Sequence, residues 1–533
     1  MEITRQFEVS SGQASAGQWI HSLLFRVLLI TAFALGIVFR LSGLGNKMYS
    51  HDEAYASLRA AGYHKGDVLA GIRDGKDHPV EDIRKFLQPG ADKNILDTLS
   101  ITALSGPHQA PLFYLLAHYW MRLIGYTPAA MRGLAAVFGL LSIPAMYWFA
   151  RELFQSSKIA ILSTALFSIS PFHILFSQDA RPYSLWTLAT LLSSAALLRA
   201  VRKNSPAAWS IYSLTLILGM YSHQLFILPA LVHGFFIAGT YLLQPKRYGG
   251  FLSAGLFAFL AYIPWLYMVI TYWDRAVEGM AWVNLQLPWE RYIQRWALIF
   301  SSPFLDFDFG FGNLVPYLLR GVVLVLIAFA FVFLALRGSR HEKMFLLSMF
   351  VIPAGALLLP DLVLGGIRSI GGRYFVPVNI ATILVVAYFL KDRLDQARPK
   401  TDAGWKLLVG LLIAAGIFSN VNSLQADIWW NKELGRVRPE FIQEIDRDRS
   451  LLIVSSGQNG SMLGDVLLLS LEIDSNVYFR LPEEVQDSPS LSSYDQIYWF
   501  PGSNQEVEKV SEKEQLLVRE VLDDTLWRIE GRR

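Results

Sequence analysis

The sequence predicts a polytopic α-helical membrane protein with a small α/β domain after its last span. Hydrophobic residues make up 53% of the 533 residues and charged residues only 17%, whereas an average soluble chain carries about 25% charge. The apolar residues occur in blocks of about 20, long enough to cross a hydrocarbon core of about 30 Å. These observations exclude a soluble enzyme, a disordered chain and a disulfide scaffold. Since the chain has no cysteine, a thiolate metal site and a cysteine nucleophile are excluded as well.

About eleven apolar blocks are long enough to be membrane spans. The first block, 23–38, follows a polar segment without a small-residue cleavage pattern. We therefore interpret it as an uncleaved span rather than a signal peptide. The remaining blocks are 129–150, 158–176, 183–199, 207–222, 224–243, 249–270, 313–336, 343–360, 375–390 and 406–421.

The basic residues predict the orientation of the spans. They are concentrated in alternate connections, at 151–158, 199–203, 246–247, 337–343 and 391–406. Because cytoplasmic loops are enriched in Lys and Arg, this pattern predicts a multi-pass protein of the inner (plasma) membrane. The N-terminus is then cytoplasmic and residues 424–533 are extracytoplasmic. The net charge of +3 is too small and too scattered for a nucleic-acid-binding surface.

The predicted outer regions contain two long loops and a tail. In the first loop, 42–128, the segment 111–125 is short and contains Arg122, so we interpret it as an interfacial helix; a short tilted span is the alternative. The second loop, 271–312, is rich in tryptophan, which is more typical of a membrane belt than of sugar stacking. We divide the chain into a transmembrane domain, 1–423, and an extracytoplasmic domain, 424–533. The tail pattern predicts strands Leu451–Ser455, Val477–Leu481 and Gln496–Phe500, with a helix Met462–Leu471 between the first two.

Two adjacent acids, Asp52 and Glu53, lie just past the first span, followed by Tyr55. Adjacent residues on a helix point about 100° apart. One acid can therefore face a cavity while the other orients it, binds a metal or caps the helix. The structural alternative is a capping box, with Ser50 as the N-cap and Glu53 three residues later.

Other polar residues lie at predicted membrane boundaries on the same side. Each has a structural alternative, such as a salt-bridged turn or a flexible connector. Arginines bind phosphate bidentately, and carboxylates deprotonate hydroxyl groups or hold divalent cations. The set therefore favours a reaction in which a lipid-linked phosphate is the leaving group. Its members besides the two acids are Tyr55, His108, Arg132, Gln178, Asp179, Arg181, Tyr183, Arg373 and Tyr374.

The order of these motifs resembles the polytopic glycosyltransferases of the GT-C superfamily, in the group that includes protein O-mannosyltransferases and aminoarabinose transferases acting on lipid A. The resemblance covers about residues 20–390 and not the tail. It implies a polyprenyl-phosphate sugar donor and an inverting transfer on the outer face. The matching positions are Asp52-Glu53, 108–114 (loosely), Arg132, 177–183 with Asp179 in place of Glu, and Arg373-Tyr374 with Pro377.

The sequence therefore predicts a GT-C-like glycosyltransferase. We expect Asp52 to be the general base toward an acceptor hydroxyl and Glu53 to assist it. The arginines are expected to bind the phosphate of the donor, and the tyrosines to orient the reacting groups. No cofactor is required by the sequence. A divalent cation stays open, with Asp52 or Glu53 as its ligand.

The expected partners are the polyprenyl-phosphate sugar donor, membrane lipids, and an acceptor that is a lipid, a glycan or a protein; no nucleic acid is expected. One alternative function is a transporter or lipid flippase, because charged residues near membrane cavities also mark transport pathways. Another alternative is a non-catalytic scaffold whose tail binds a partner.

Overall fold

The architecture comes from a computed structural model. It describes residues 22–241, 244–307, 314–397, 399–432, 436–445, 449–454, 460–473, 476–481, 494–501, 504–513 and 515–532. Their contacts divide the chain into two compact units. The first comprises the described residues up to Ser42, His108–Ala110 and Ala135–Gln425; the second comprises Gly43–Pro107, Pro111–Leu134 and the described residues after Gln425. The long first loop thus groups with the tail rather than with the spans.

Most of the described chain is helical. The α-helices in chain order are α1 Leu23–Leu41, α2 His51–Ala61, α3 Lys65–Ile72, α4 Glu81–Arg84, α5 Ile95–Ser105, α6 Leu112–Ile124, α7 Pro128–Phe154, α8 Ser157–Ser168, α9 Pro171–Ser177, α10 Tyr183–Lys203, α11 Pro206–Ser222, α12 Ile227–Tyr241, α13 Pro245–Thr271, α14 Trp273–Gly279, α15 Trp289–Ser301, α16 Leu314–Arg337, α17 Arg340–Leu364, α18 Val376–Asp395, α19 Pro399–Gln425, α20 Pro439–Ile445, α21 Gly460–Glu472 and α22 Asn504–Lys513. Short 3-10 helices are 85–87, 224–226, 281–284, 368–370 and 372–375.

The helices confirm a multi-pass membrane protein. Among the described residues, nine helices are long and apolar enough to cross a membrane, or ten if α8 and α9, which meet at a bend of 58°, form one span. The count of ten is one fewer than the eleven blocks in the sequence, because the predicted span 207–222 corresponds to α11, which is only 17 residues long. Helix α6, in the segment interpreted as interfacial, has 13 residues and is not among the candidate spans.

Small residues allow the helices of the first unit to pack closely. An ideal Cβ on Gly36 of α1 would overlap the carbonyl group of Ser168 in α8. The side chain of Arg40 joins the same two residues, since its Nη1 donates to the carbonyl oxygens of Gly36 at 2.8 Å and Ser168 at 2.6 Å. Close approach of this kind is what small residues provide at helix contacts inside membranes.

Replacing Gly36 by Ala is expected to destabilise the first unit by about 1–3 kcal/mol, as overpacking does elsewhere. The added methyl group has to push α1 and α8 apart or break the hydrogen bonds of Arg40. The midpoint of thermal unfolding in detergent measures the effect. Gly255→Ala in α13 is the matched control, because a Cβ there meets nothing within 4 Å. Equal midpoints for the two variants would show that the α1–α8 contact is not tight.

The second unit contains a six-stranded sheet. Its strands are β1 His78–Pro79, β2 Ser450–Val454, β3 Val477–Arg480, β4 Gln496–Phe500, β5 Leu516–Leu522 and β6 Leu526–Arg532, in the order β1-β3-β2-β4-β6-β5. Strand β2 is buried along its length and pairs in parallel with β3 and β4, while the other pairings are antiparallel. The three predicted strands and the predicted helix of the tail are present, except that Ser455 lies outside the described residues. Strands β1, β5 and β6 and helix α22 were not predicted.

Strand β1 comes from the first loop and pairs with β3 of the tail. Beside it, the carboxylate of Asp77 accepts hydrogen bonds from Arg480 Nε at 2.6 Å and from the Tyr494 hydroxyl at 2.8 Å. The guanidinium of Arg84 donates to the carbonyl oxygens of Ser470 and Ile473. The loop and the tail therefore fold as one unit, held by a strand pairing and by charged hydrogen bonds.

Candidate active site

The Asp-Glu motif forms the first turn of α2, in the second unit. Ser50 is the N-cap: its Oγ accepts from the Glu53 amide at 3.3 Å, and Glu53 Oε2 accepts from the Ser50 amide at 2.9 Å. The capping box that the sequence left open is therefore present. It fixes the start of α2 and the direction in which Asp52 leaves the backbone.

Glu53 is fully buried and lies between two cations. Arg132 Nε is 2.8 Å from Oε1, and Arg132 Nη2 is 3.0 Å from Oε2. Lys432 Nζ, from the tail, is 2.6 Å from Oε2. A buried carboxylate needs such partners, because an uncompensated charge in the interior costs several kcal/mol. Both oxygens of Glu53 are thus engaged inside the protein.

The guanidinium of Arg132 has no donor left for a ligand. Its five N–H groups match five hydrogen bonds: two to Glu53 and one each to the carbonyl oxygens of Leu44, Lys47 and Met48. The side chain is 1% exposed. These contacts favour a structural role for both residues at the start of α2. That Arg132 binds phosphate and that Glu53 assists catalysis stay predictions.

Asp52, unlike its neighbour, reaches solvent. Its side chain is 32% exposed, and Oδ1 lies 3.6 Å from His51 Nε2. The dipole at the N-terminus of α2 favours an anionic side chain in this turn. Asp52 is therefore the acid of the motif whose position suits proton transfer with a substrate.

A second acid from the tail lies beside the motif. Helix α21 packs closely on α2 at Gly464, where an ideal Cβ would be 2.8 Å from Tyr55 Cε2 and 3.0 Å from His51 Cβ. The next residue, Asp465, is buried. Burial raises the pKa of Asp465 to about 6, although His51 and Arg436 act in the opposite direction. Burial and the charge of Asp465 in turn raise the pKa of Tyr55.

The raised pKa of Asp465 predicts a pH effect on stability. The folded protein binds the proton of Asp465 more tightly than the unfolded chain does. The stabilisation of the folded state by this proton is therefore full below pH 4 and is lost as the pH rises through about 6. Asp465→Asn should match the wild type near pH 4 and be more stable at pH 8, by up to about 3 kcal/mol for a shift of roughly two pKa units. Unfolding midpoints of the two proteins from pH 4 to pH 8 measure this difference. A difference that does not change with pH would contradict it.

The predicted arginines of the first unit lie among aromatic rings. The guanidinium carbon of Arg373 is 5.3 Å from the Tyr374 ring centre and 5.8 Å from those of Tyr183 and Trp282. The guanidinium of Arg181 lies 5.9 Å from the Tyr183 ring. The motifs 177–183 and 371–377 therefore meet at Tyr183. The arrangement supplies two cations on a common aromatic ring, which suits an anion attached to an apolar chain.

His223, between α11 and α12, joins this cluster although sequence reasoning did not select it. Its ring is stacked on Trp186, with centres 4.4 Å apart and planes at 10°. Burial, together with the charges of Arg181 and Arg373, lowers the pKa of His223 to about 3. Little in the sequence marked His223 as a site residue, since a single histidine in a short connection is usually structural.

A buried carboxylate, Asp361, holds the loop that leads to Arg373. Its Oδ2 accepts from the amide and the hydroxyl of Ser369 at 2.6 and 2.7 Å, and its Oδ1 accepts from Arg368 Nη1 at 3.1 Å. Trp296 Nε1 donates to the Ser369 hydroxyl at 3.1 Å. The loop that carries Arg373 is therefore fixed by hydrogen bonds.

Three other predicted residues lie in the loops of the first unit. The side-chain amide of Gln178 donates to the carbonyl oxygens of Phe39 and Ser42 at 2.6 and 2.7 Å, which ties it to the end of α1. Asp179 is buried, and its carbonyl oxygen accepts from the Arg181 amide at 2.6 Å. The ring of His108 lies against Gly279, where an ideal Cβ would be only 2.7 Å from Cε1. These contacts shape the loops around the arginines.

The predicted site residues divide between the two units. Asp52, Glu53, Tyr55 and Arg132 belong to the second unit, and the other predicted residues belong to the first. Within the described ranges there is no group of three or more His, Asp or Glu side chains that could hold a metal ion. Glu53 does not fit a divalent cation, because Arg132 and Lys432 occupy its oxygens.

Comparisons with known proteins point to one group of folds. Residues 108–268 match the family described as dolichyl-phosphate-mannose-protein mannosyltransferase. The crystal structure of ArnT from Cupriavidus metallidurans in the apo state is similar over 94% of this chain and 97% of that chain, with a TM-score of 0.56 and 11% identity. The same protein bound to undecaprenyl phosphate gives a TM-score of 0.55 over the same shares, with 12% identity.

A more distant likeness links the chain to a larger enzyme. The apo oligosaccharyltransferase from Archaeoglobus fulgidus matches with a TM-score of 0.50 and 12% identity. The match covers 87% of this chain and only 65% of the archaeal protein. No curated protein sequence matches the chain. At such identities the structural likeness establishes a fold.

Proposed function

We propose that this chain, which has the fold of the GT-C glycosyltransferases, moves a sugar from a polyprenyl-phosphate-linked donor to an acceptor hydroxyl. The observation that carries this proposal is the contrast between the adjacent acids. Glu53 is locked by two cations, whereas Asp52 is held on the same rigid turn and remains accessible. The pair of arginines at Tyr183, together with the likeness to a protein that binds undecaprenyl phosphate, supports a lipid phosphate as the leaving group.

In the proposed reaction Asp52 accepts the proton of the acceptor hydroxyl. The oxygen attacks the anomeric carbon of the sugar, and the bond from that carbon to the phosphate oxygen breaks. The electron pair leaves with the phosphate, whose charge Arg181 and Arg373 stabilise. Attack from the side opposite the phosphate inverts the anomeric configuration. Tyr55, Tyr183 and Tyr374 orient the groups, and no step requires a metal ion.

We further propose that the transfer takes place on the outer face of the inner (plasma) membrane. The basic connections between spans support this orientation, with the N-terminus cytoplasmic and the tail extracytoplasmic. The acceptor is a lipid, a glycan or a protein. Because the tail contributes Lys432 to the framework around Glu53, it is part of the enzyme rather than an appendage.

The function can be tested with purified protein in detergent and a panel of polyprenyl-phosphate sugars. We expect at least one donor to be consumed, with polyprenyl phosphate detected by mass spectrometry as a product. A parallel assay in proteoliposomes follows the intact donor across the bilayer. Movement of the donor without any covalent product would favour the transporter and contradict the proposed transfer.

A further inference from the structure

His223 is buried among aromatic rings beside the two predicted arginines of the first unit. It is 2% exposed and stacks on Trp186. Its ring centre is 5.8 Å from that of Tyr183 and 6.4 Å from that of Tyr374. These two tyrosines are the residues whose rings lie beside Arg181 and Arg373, so the histidine belongs to the cation-aromatic cluster.

The hydrogen bonding of the ring defines its tautomer. The Leu225 amide donates to His223 Nδ1 at 3.1 Å, so Nδ1 is an acceptor. Burial and the two neighbouring arginines keep the ring neutral by lowering its pKa to about 3. A neutral imidazole whose Nδ1 accepts carries its proton on Nε2. His223 therefore presents an N–H donor on the side of the ring opposite Leu225.

Trp186 supplies a second donor in the same stack. Its side chain is fully buried, and its Nε1 makes no hydrogen bond to any residue in the described part of the chain. Leaving a buried donor without an acceptor costs about 1–3 kcal/mol. Such a group stacked on His223 indicates a ligand that brings acceptor oxygens.

We propose that His223, through Nε2, is a neutral hydrogen-bond donor to a phosphate oxygen of the polyprenyl phosphate bound by Arg181 and Arg373. A tetrahedral phosphate has enough acceptors for two guanidinium groups and the ring N–H groups. A third cation in this position would repel the arginines before the ligand binds, whereas a neutral donor adds a hydrogen bond without that repulsion. The identification of the ligand as polyprenyl phosphate rests on the proposed function.

Two substitutions of His223 separate ligand binding from a structural role. The amide of Gln extends to the position of Nε2, so His223→Gln keeps a donor for the phosphate and loses the acceptor for Leu225. The shorter amide of Asn extends to the position of Nδ1, so His223→Asn keeps that acceptor and loses the donor. Both variants lose the stacking on Trp186 alike, which makes them a matched pair.

The measurement is the affinity of each purified protein for undecaprenyl phosphate in detergent. We expect His223→Asn to bind about 10- to 100-fold more weakly than the wild type, as for loss of a hydrogen bond to a charged group. His223→Gln should stay within about threefold of the wild type. A purely structural role predicts the reverse order and would overturn the proposal. If the wild type binds no polyprenyl phosphate at all, the proposed function fails instead.

Two controls complete the test. His233, another buried histidine of the first unit, is hydrogen-bonded to Ser194 Oγ and Tyr212 OH, each at 3.2 Å, so His233→Gln should leave lipid affinity unchanged. Inorganic phosphate is the second probe: weak competition supports the lipid phosphate, and equal competition overturns the lipid as the source. If His223→Asn does not fold, ¹⁵N-histidine NMR of the wild type replaces it. An Nε2–H signal that shifts on adding the lipid supports the proposal, and an unchanged signal contradicts it.

Discussion

Replacing Asp52 by Asn is expected to lower the turnover of the donor by about 10²–10⁴-fold, the usual contribution of a general base. Asn has the same shape and cannot take the proton of the acceptor hydroxyl. Glu53 cannot take over, because its two oxygens are held by Arg132 and Lys432. The measurement is the rate of polyprenyl phosphate release by the purified variant at saturating donor.

The fold should tolerate this substitution. Loss of the charge at the start of α2 costs about 0.3–1 kcal/mol through the helix dipole, so the unfolding midpoint should change little. Asp92→Asn is the matched control, since Asp92 is an acid of the same unit whose side chain is 76% exposed, and its turnover should equal that of the wild type. A wild-type rate for Asp52→Asn would remove Asp52 from the mechanism.

Replacing Arg132 by Met is expected to destabilise the second unit by about 3–5 kcal/mol, as breaking a buried ion pair does. The change leaves Glu53 with a single cation and removes the donors to the carbonyl oxygens of Leu44, Lys47 and Met48. Arg132→Lys should not restore stability, because one ammonium group cannot replace a planar group with five donors. The unfolding midpoint in detergent is the measurement.

A double-mutant cycle with Glu53 tests whether the loss of stability comes from the contact between Arg132 and Glu53. Adding Glu53→Gln to Arg132→Met should cost less than the sum of the single changes, because the interaction between these two side chains can be lost only once. If Arg132 instead bound phosphate, Arg132→Met would keep its unfolding midpoint and lose affinity for the donor. That outcome would contradict the framework role and restore the expectation drawn from the sequence.

The sequence was informative wherever short-range patterns decide the structure. Hydropathy located the long helices, because crossing a membrane needs a continuous apolar stretch. The capping box at Ser50 and the core strands of the tail also follow from neighbouring residues. The predicted span at α11 stays a prediction, since a 17-residue helix lies at the lower limit of the length that crosses a membrane.

The sequence was uninformative wherever a partner is distant along the chain. Lys432 bonds to a residue 379 positions away, and no local pattern marks a lysine as the partner of Glu53. The same holds for Asp465 beside His51 and for the two-residue strand β1. Arg132 likewise donates to five acceptors that only the fold brings together.

The pairing of the first loop with the tail has a consequence for synthesis of the protein. Ribosomes make residue 53 early and residue 432 late, with the residues that form most of the spans between them. During that interval Glu53 lacks its lysine, and β1 lacks β3. A nascent or prematurely terminated chain that ends before the tail therefore carries a first loop without these partners. Completion of the loop around Glu53 is thereby tied to completion of translation.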